Sequence, residues 1–398
     1  MSEPAISDLA QYDILVVGGG INGLACACAL EPSGLRIGVV DQREPEPFDE
    51  DYALRVSAIN RASLKLFNSV GVFEDMRAMR VSPFRQMHVW DSSGVGQIHF
   101  DSAELGLDTL GYIIENNVIQ LALLEKVSKS AAIDWICPAE IETIHADETL
   151  KQVVLSDGRI LQARLVVGAD GAQSRVRELM GIEMHRTSYQ QKAIVCTVKT
   201  EYEHEATAWQ CFMPSGPLAF LPLADGSSSI VWSLDEDRVE DMLALDDDSF
   251  ARELEQAFEY RLGAISSVSA RAAFPLSHAH VDQYVQPGMA LIGDAAHNIH
   301  PLAGQGANLG IMDAACLADV VIQALRADRQ WFALHTLRKY ERARKGDNRL
   351  MESSMTGFKT LFGNTNPVLV GLRNTGLLLA DRITPIKDQF MRHAMGLN

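Results

Sequence analysis

The sequence has few of the features expected of proteins that bind nucleic acid, bind zinc or span a bilayer. Its 398 residues include 35 Lys and Arg against 52 Asp and Glu, and the net charge of −17 disfavours binding to a phosphate backbone. The six cysteines form no C-x-x-C pair and no zinc-type cluster with histidine, which argues against a disulfide reductase and a zinc site. Without a long apolar run or a signal-like start, we predict a cytoplasmic chain with no transmembrane segment.

Apolar patterning in the first part of the chain predicts alternating strands and helices. A buried strand over residues 12–18, a helix over about 22–30 and a second buried strand over 35–40 form a β-α-β unit. Helical spacing over 56–79 and strand-like alternation over 84–112 follow. The chain therefore begins like a nucleotide-binding domain.

The second half changes character and then returns to helix. Residues 182–280 are dense in Thr, Val, Trp and Phe, which predicts an antiparallel sheet. A buried strand over 289–292 and a helix over about 306–327 come next, and helices dominate to the end. We expect the nucleotide-binding domain to be discontinuous, with a sheet-rich domain inserted into it.

The first motif is Gly18-Gly-Gly20-Ile-Asn-Gly23, which fits G-x-G-x-x-G between a strand and a helix. In this pattern Gly18 permits the tight turn, Gly20 lets the backbone approach a pyrophosphate and Gly23 lets the helix pack on the strand. Asp41 ends the next strand, about 20 residues later, where a carboxylate binds a ribose hydroxyl. The motif predicts dinucleotide binding, against the alternative of a plain β-α-β turn with a surface Asp.

Arg43 leaves the identity of the dinucleotide open. An arginine near the ribose carboxylate can accommodate a 2′-phosphate and so favour NADP. The alternative, which we prefer, is a surface charge in an exposed acidic loop.

Two further motifs also follow predicted strands. One runs from Gly168 through Asp170 and Gly171, and the other from Gly293 and Asp294 to residue 308. With the glycine fingerprint they resemble, in order and over nearly the whole chain, the FAD-dependent aromatic hydroxylases, the 4-hydroxybenzoate hydroxylase-like family. Residues 54–60, 111–116, 220–223 and 293–310 narrow the resemblance to the ubiquinone-biosynthesis hydroxylases.

The resemblance implies an α/β fold, with a Rossmann-like FAD-binding domain, an inserted, mostly antiparallel β-sheet substrate domain and C-terminal helices. We assign residues 1–80, 113–181 and 282–398 to a discontinuous FAD-binding domain that carries the C-terminal helices. Residues 81–112 and 182–281 are assigned to the substrate-binding sheet domain.

The resemblance also implies the activity. It predicts a monooxygenase that uses FAD, NAD(P)H and O2, through a flavin C4a-hydroperoxide, to hydroxylate the aromatic ring of a polyprenylated phenol in ubiquinone biosynthesis. The alternatives are a later-acting paralogue that hydroxylates a demethoxy-quinol, a flavin-binding scaffold subunit of the biosynthetic complex, a flavoprotein that inserts no oxygen, and an NAD-dependent dehydrogenase. The expected partners are the phenol or quinol substrate, that biosynthetic complex and a second copy of the chain.

Site residues follow from the same motifs. Backbone N–H groups of the glycine-rich segment after Pro301 would stabilise the negative charge of a reduced flavin. Asp294 would bind ribityl or ribose hydroxyls, although it could instead cap the next segment. The predicted catalytic residues are Pro301, Gly304 and His300. The predicted cofactor-binding residues are Gly18, Gly20, Gly23, Asp41, Arg55, Asp170, Asp294, Gly304, Gln305, Gly306, Ala307 and Asn308.

Four further interpretations each have an alternative. Arg55 is expected to lie near the flavin or the incoming reductant; the alternative is that it forms an ion pair on the surface. His297 and His300 have the spacing of only half a metal set, so structural roles are favoured, although one of them could help to deprotonate the phenol. The apolar segment 220–223, with Trp209 and Phe212, is a candidate water-excluding wall, against ordinary sheet core. The C-terminal helices, with Arg373 among their cations, suit peripheral contact with the inner membrane, against packing on the core or on a sister subunit.

Overall fold

The computed structural model of the protein describes residues 9–146, 150–298, 306–383, 387 and 395–396. Within these ranges the chain forms the helices α1 (Ile21–Leu30), α2 (Arg61–Ser69), α3 (Phe73–Met79), α4 (Asn116–Lys129), α5 (Arg175–Leu179), α6 (Glu236–Ala244), α7 (Asp247–Ala257), α8 (Gly306–Arg326), α9 (Leu334–Phe362) and α10 (Pro367–Arg382).

The strands of the same ranges fall into four sheets. In the first half they are β1 (Leu9–Gln11), β2 (Ile14–Val17), β3 (Ile37–Val40), β4 (Val56–Asn60), β5 (Ser82–Phe84), β6 (Gln86–Asp91), β7 (Gln97–Asp101), β8 (Gly111–Glu115), β9 (Ile133–Ile136), β10 (Ile141–Ala146), β11 (Lys151–Leu155), β12 (Ile160–Ala163) and β13 (Leu165–Gly168). In the second half they are β14 (Met184–Thr200), β15 (Thr207–Met213), β16 (Gly216–Pro222), β17 (Ser228–Asp235), β18 (Ile265–Val268), β19 (Ala272–Val281), β20 (Val285–Gln286), β21 (Met289–Leu291) and β22 (His297–Asn298).

A six-stranded sheet in the order β20-β21-β13-β2-β3-β9 carries the predicted motifs. Its strands are parallel except for β20, and β2, β3 and β13 are buried along their whole length. Helices cover a parallel sheet on both faces, which explains why these strands are continuously apolar. The three glycine-containing motifs begin where β2, β13 and β21 end, at the carboxyl edge of the sheet, as predicted.

The second large sheet has nine strands, in the order β22-β19-β14-β17-β16-β15-β6-β7 with β18 paired to β14. Its pairs are antiparallel except for β15 with β6. One face of this sheet packs against α6 and α7, and its opposite face packs against β4 and β8, at Ala58 and Ile113. The predicted antiparallel sheet is therefore present, but the sequence pattern missed the two helices inserted within it.

The predicted helix over residues 56–79 is wrong in its first turn. Residues Val56–Asn60 form β4, which pairs antiparallel with β8 in a three-stranded sheet ordered β4-β8-β5. Helix α2 begins only after Asn60, whose side-chain oxygen accepts the N–H of Ser63 at 3.0 Å. The error arose because pairing with β8, about 55 residues later, leaves no trace in local periodicity. The remaining small sheet has the order β1-β12-β11-β10 and contains a hairpin turn at Asp157–Gly158, between β11 and β12.

Helix α8 is long and apolar enough to cross a bilayer by length and composition, and within the described residues no other helix is. Its apolar side chains face the interior, where Ile311, Ala314, Leu317 and Val321 are fully buried and α8 packs against α1. Its hydrophobicity is therefore accounted for by the core.

Helix α10 is fastened to the β6–β7 hairpin by a buried ion pair. The Arg373 guanidinium donates to both carboxylate oxygens of Asp91, at 2.6 and 3.1 Å, and the two side chains are 1% and 0% exposed. The Nη1 group also donates to the carbonyls of Leu361, Phe362 and Asn364 at the end of α9. The suggestion that Arg373 is an interfacial cation is therefore wrong, because its charge is used inside the protein.

Replacing Arg373 should lower the stability of the folded protein. Arg373→Met leaves the Asp91 carboxylate buried without its cation, so we expect the free energy of unfolding to fall by about 3–5 kcal/mol in urea denaturation. The double variant Asp91→Asn/Arg373→Met should recover part of this loss. The exposed pair of Arg36 with Asp134 provides the control, since Arg36→Met should cost less than about 1 kcal/mol. Equal losses for Arg36→Met and Arg373→Met would mean that burial of the Arg373–Asp91 pair does not contribute to stability.

Candidate functional site

The glycine fingerprint forms a tight turn with an open mouth. Gly18 has a φ of +109°, and a side chain on Gly23 would collide with the Gly18 carbonyl. A side chain on Gly20, by contrast, would meet nothing within 4 Å. Gly20 is also the N-cap of α1 and provides no side-chain cap, so the first N–H groups of the helix face open space. This is the geometry of an anion site at a helix N-terminus.

Asp41 holds this turn from the end of β3. Its carboxylate accepts the backbone N–H of Gly19 and, at 2.9 Å, the backbone N–H of Arg43. The Arg43 residue is exposed, which agrees with the surface alternative for its charge. The predicted ribose ligand is thus in place beside the fingerprint and also stabilises the turn itself.

The Asp170 carboxylate uses most of its hydrogen-bonding capacity within its own loop. Its two carboxylate oxygens accept the Ser174 hydroxyl at 2.5 Å and the Val176 N–H at 3.0 Å, which orders the start of α5. Burial raises the pKa of Asp170 above the usual range, although these hydrogen bonds oppose the shift. Arg177 in α5 then donates to the carbonyl of Ala295 at 3.1 Å. The Asp170 loop is therefore tied directly to the Gly293–Asp294 turn.

All three motifs border one cavity of about 580 Å³. Gly20, Gly171 and Asp294 lie on its wall, as do Arg55 and the first residues of α8, Gly306 and Ala307. The opposite wall comes from the nine-stranded sheet and is mostly apolar, with Ala193, Val195, Val231, Phe274 and Leu276. The cavity thus lies between a polar edge rich in backbone donors and an apolar sheet face.

The side chains of that apolar wall differ from those suggested by the sequence. Trp209 and Phe220 are paired across β15 and β16, and both point to the far face of the sheet, where Phe220 stacks on Phe258 with ring centroids 3.8 Å apart. Phe212 instead stacks on Phe362 of α9 at 4.2 Å. The ordinary-core alternative is the right one for these rings, because side chains alternate between the two faces of a sheet.

Two polar groups at the cavity have no protein partner among the described residues. Asp294 forms no hydrogen bond there, and its pKa is raised by burial, against the opposing charges of His297 and Arg55. Its side chain is exposed to the cavity that it lines. The side-chain oxygen of Asn22, in the first turn of α1, is buried and also lacks a partner. Such groups fit a ligand that brings its own hydroxyl and N–H donors.

Behind Asp294 lies a buried polar network that the sequence analysis did not find. The Asp313 carboxylate, on α8, accepts the Gly293 N–H at 3.1 Å, contacts His297 Nε2 at 2.5 Å and accepts Arg344 Nε at 2.8 Å. Burial alone would raise the pKa of Asp313, but His297 and Arg344 outweigh it and lower this pKa. An acidic residue on the apolar face of α8 was the available signal. His297 is therefore a structural partner of Asp313, as favoured.

The beginning of α8 is joined to β4 by Asn308. The side-chain oxygen of Asn308 accepts the Asn60 N–H at 3.0 Å, and its amide donates to the Ala58 carbonyl at 2.8 Å. Asn308 is buried, so these two bonds fix the helix N-terminus beside the cavity. The predicted site residues Pro301, Gly304, Gln305 and His300 lie outside the described residues, and their roles stay predictions.

Comparison with known proteins agrees with this arrangement. The sequence profile of the FAD-binding-domain family matches residues 11–349. The chain belongs to this family. Within the family it belongs with the ubiquinone-biosynthesis hydroxylases, since it is 39% identical over 387 residues to the 3-demethoxyubiquinol 3-hydroxylase of Escherichia coli, with 97% of this chain and 98% of that protein covered. The ubiquinone hydroxylase UbiL of Rhodospirillum rubrum is 37% identical, with 96% and 89% covered.

The fold of the family is also seen in solved structures. PqsL, a probable FAD-dependent monooxygenase from Pseudomonas aeruginosa, superposes with a TM-score of 0.77 at 26% identity. The superposition covers 92% of this chain and 99% of PqsL. The predicted fold class, cofactor and family are therefore confirmed.

The two glycines at the mouth of the turn should respond differently to substitution. Gly23→Ala drives a methyl group into the Gly18 carbonyl, so the apoprotein should lose about 2 kcal/mol or more of unfolding free energy. Gly20→Ala has room and should change stability by less than about 1 kcal/mol, yet weaken FAD binding, since the methyl occupies the phosphate approach. Chemical denaturation and FAD titration measure the two effects. Unchanged FAD affinity in Gly20→Ala would place the phosphates elsewhere.

Asp294→Asn should separate stability from cofactor binding. The raised pKa means that the folded apoprotein binds the proton more tightly than the unfolded chain, so wild-type stability falls as pH rises from about 4, the ordinary Asp value, through the raised pKa. Asparagine has no such loss. The variant apoprotein should therefore melt higher than wild type near pH 7, with the difference shrinking toward about pH 4, while its FAD affinity falls. A pH-independent difference in melting temperature would contradict this.

Proposed function

We propose that this protein is an FAD-dependent monooxygenase that hydroxylates the ring of a polyprenylated phenol or quinol in ubiquinone biosynthesis. The observation that supports it best is the single cavity at which the three motifs converge. One side of that cavity offers an open helix N-terminus and unpartnered polar groups, and its other side is an apolar sheet face. The membership of the chain among the ubiquinone-biosynthesis hydroxylases agrees with this chemistry.

The residues at the polar edge fit FAD. The N–H groups of the turn at Gly20 would bind the pyrophosphate, and Asp41 would bind a ribose hydroxyl beside it. Asp294 and the side-chain oxygen of Asn22 would accept hydrogen bonds from hydroxyl or N–H groups of the cofactor, since neither has a hydrogen-bond partner in the part of the chain that the structure describes. Asp170 would act through its loop, which it orders.

The remaining cofactor contacts belong to the N-terminus of α8. Gly306 and Ala307 lie on the cavity wall, where the positive end of the helix dipole would stabilise negative charge on the ring. Asn308 would hold that helix end in place. We assign Gly304, Gln305, Pro301 and His300 to the same flavin-facing segment on the resemblance alone.

Bound FAD, once reduced by NAD(P)H, supplies the activation of O2 that transfers one oxygen atom to an electron-rich ring. The protein then has to orient the ring and exclude water. Val195, Val231 and Leu276 present aliphatic surface on the sheet side, which suits an apolar ring and keeps the site dry. His297 does not serve as a free base in this scheme, because its Nε2 is engaged by Asp313.

The ring position has two candidates. The sequence favours a polyprenylated phenol, with the demethoxy-quinol of a later-acting paralogue as the alternative. The 39% identity to a protein named 3-demethoxyubiquinol 3-hydroxylase supports the later step. The fingerprint and the cavity are compatible with either ring.

Partners and location are proposals of the same kind. We propose that the protein acts in contact with a biosynthetic complex, with a second copy or with the inner membrane. Exposed apolar side chains on α10 support such a surface, including Val368 and Leu372, which are 69% and 65% exposed. Around the axis of α10, Val368 and Leu372 lie about 140° and about 100° from the buried Arg373.

Labelled oxygen provides the test of the function. Purified protein loaded with FAD should oxidise NAD(P)H and place one atom of isotopically labelled O2 in a short-chain prenylphenol or demethoxy-quinol. Deletion of the gene should cause the precursor lacking that hydroxyl to accumulate, which identifies the ring carbon. NAD(P)H oxidation without labelled product would indicate an oxidase, and absence of flavin reduction would indicate a scaffold subunit.

A further inference from the structure

The side chain of Arg80, at the end of α3, is the anchor of an exposed segment that borders the cavity. We call residues 48–55 the strap. The Arg80 guanidinium donates from Nη1 to the carbonyl of Glu50 at 2.5 Å and from Nη2 to the carbonyls of Asp49 and Asp51 at 3.1 and 3.2 Å. It also lies over the ring of Tyr52, at 3.9 Å from its centroid. A single side chain thus holds four successive residues of the strap.

Arg80 is itself fixed by Glu115. The Nε and Nη2 groups donate to the two Glu115 carboxylate oxygens at 2.7 and 2.8 Å, in the paired geometry that only arginine provides. The Glu115 side chain is 2% exposed. One of its oxygens also accepts the Ala53 N–H at 2.8 Å, so the same carboxylate binds both Arg80 and the strap. Glu115 belongs to the 111–116 motif, for which the site described above gives no role.

These contacts end at Arg55. The Arg55 carbonyl accepts the N–H of Asn116, the residue after Glu115, at 3.0 Å. The Arg55 guanidinium lies on the cavity wall, 5.7 Å from the centroid of the Phe274 ring on the sheet side. On its way there the strap touches the nine-stranded sheet through Tyr52, whose hydroxyl accepts the Ala224 N–H at 3.1 Å. The position of the cavity arginine therefore depends on how the strap is held.

Residues 49–51, the acidic part of the strap, make few other contacts among the residues that the structure describes. The residues Asp49, Glu50 and Asp51 are exposed, and their like charges repel one another. Without the three carbonyl contacts, the backbone of this stretch would gain conformational entropy. The guanidinium is therefore the main link between an acidic, exposed segment and the body of the protein.

We propose that Arg80 is a positioning residue that locks the strap against the cavity and so places Arg55 for the anionic part of a bound dinucleotide. The inference rests on the proposed function for its ligand. The anionic group belongs either to FAD or to the NAD(P)H that reduces it, and separate binding measurements distinguish the two. Arg80 touches neither ligand in this account and acts through Arg55.

The first test needs no activity. A glutamate-specific protease cuts the bond after Glu50, whose carbonyl is the one held by Arg80. Arg80→Met should speed cleavage at this site about tenfold or more in the full-length, FAD-loaded protein. Arg77→Met is the matched control, since Arg77 lies on the same helix and forms only an exposed pair with Glu74. Equal cleavage rates for all three proteins would overturn the proposal.

The second test asks whether Arg80 acts through Arg55. Arg80→Met should raise the KM for NAD(P)H or the Kd for FAD about tenfold, with a smaller effect on kcat. In an Arg55→Met background the same substitution should cause almost no further increase in KM or Kd, because Arg80 is expected to act only through Arg55. Fully additive losses would mean a general structural role and would overturn the proposal.

Arg80→Lys keeps the test decisive if Arg80→Met folds poorly. Lysine retains the charge but cannot bind Glu115 and three carbonyls at once, so it should show intermediate cleavage and affinity. If the Arg80→Lys variant showed the same cleavage rate and the same affinities as the wild-type protein, the proposal would be contradicted. If the wild-type protein bound no FAD and oxidised no NAD(P)H, the proposed function would fail, whereas the protease result would still decide whether Arg80 locks the strap.

Discussion

The site depends on one buried carboxylate. Asp313 accepts hydrogen bonds from the Gly293 backbone and from Arg344, and it contacts His297, so it joins α8, α9 and the turn that carries Asp294. A buried charge is tolerated only when it is fully paired, and here the pairing uses partners from separate parts of the chain. The turn is thereby held rigid, which lets Asp294 face the cavity with no hydrogen-bond partner among the described residues. The position of Asp294 is thus fixed by a network in which His297 lines the cavity, whereas Asp313 and Arg344 do not.

The rest of the architecture divides the work between two sheets. The parallel sheet ends in glycine turns that supply backbone donors and acidic side chains, which suit a polar, phosphate-bearing cofactor. The antiparallel sheet supplies aliphatic side chains from alternate positions, which suit an apolar ring. The strap and α8 close the space between them, through Arg55 on one side and Gly306 on the other. Flavin chemistry in a water-poor cavity requires both surfaces at once.

Prediction from sequence succeeded where a feature is encoded by a few consecutive residues, and it failed where the feature depends on contacts between distant parts of the chain. The fingerprint, Asp41 and the turn at Asp294 were found because each lies next to a continuously apolar strand. Residues Val56–Asn60 were predicted as helix because their pairing with β8 is non-local. Trp209 and Phe220 were suggested as cavity wall because aromatic content does not tell which face of a sheet is which. Helices α6 and α7 were missed within a segment judged by its overall composition.

The sequence by itself determined the family, the cofactor and the order of the motifs. The reason is that each short glycine–aspartate turn after a buried strand is formed by consecutive residues and can therefore be recognised locally. Only the tertiary structure decided which charges are buried and which are free. Arg80 meets Glu115 across 35 positions, Arg344 meets Asp313 across 31, and Arg373 meets Asp91 across 282. Such pairs have no periodicity and no fixed spacing, since they form only when the packed sheets and helices bring distant side chains together and exclude water from between them.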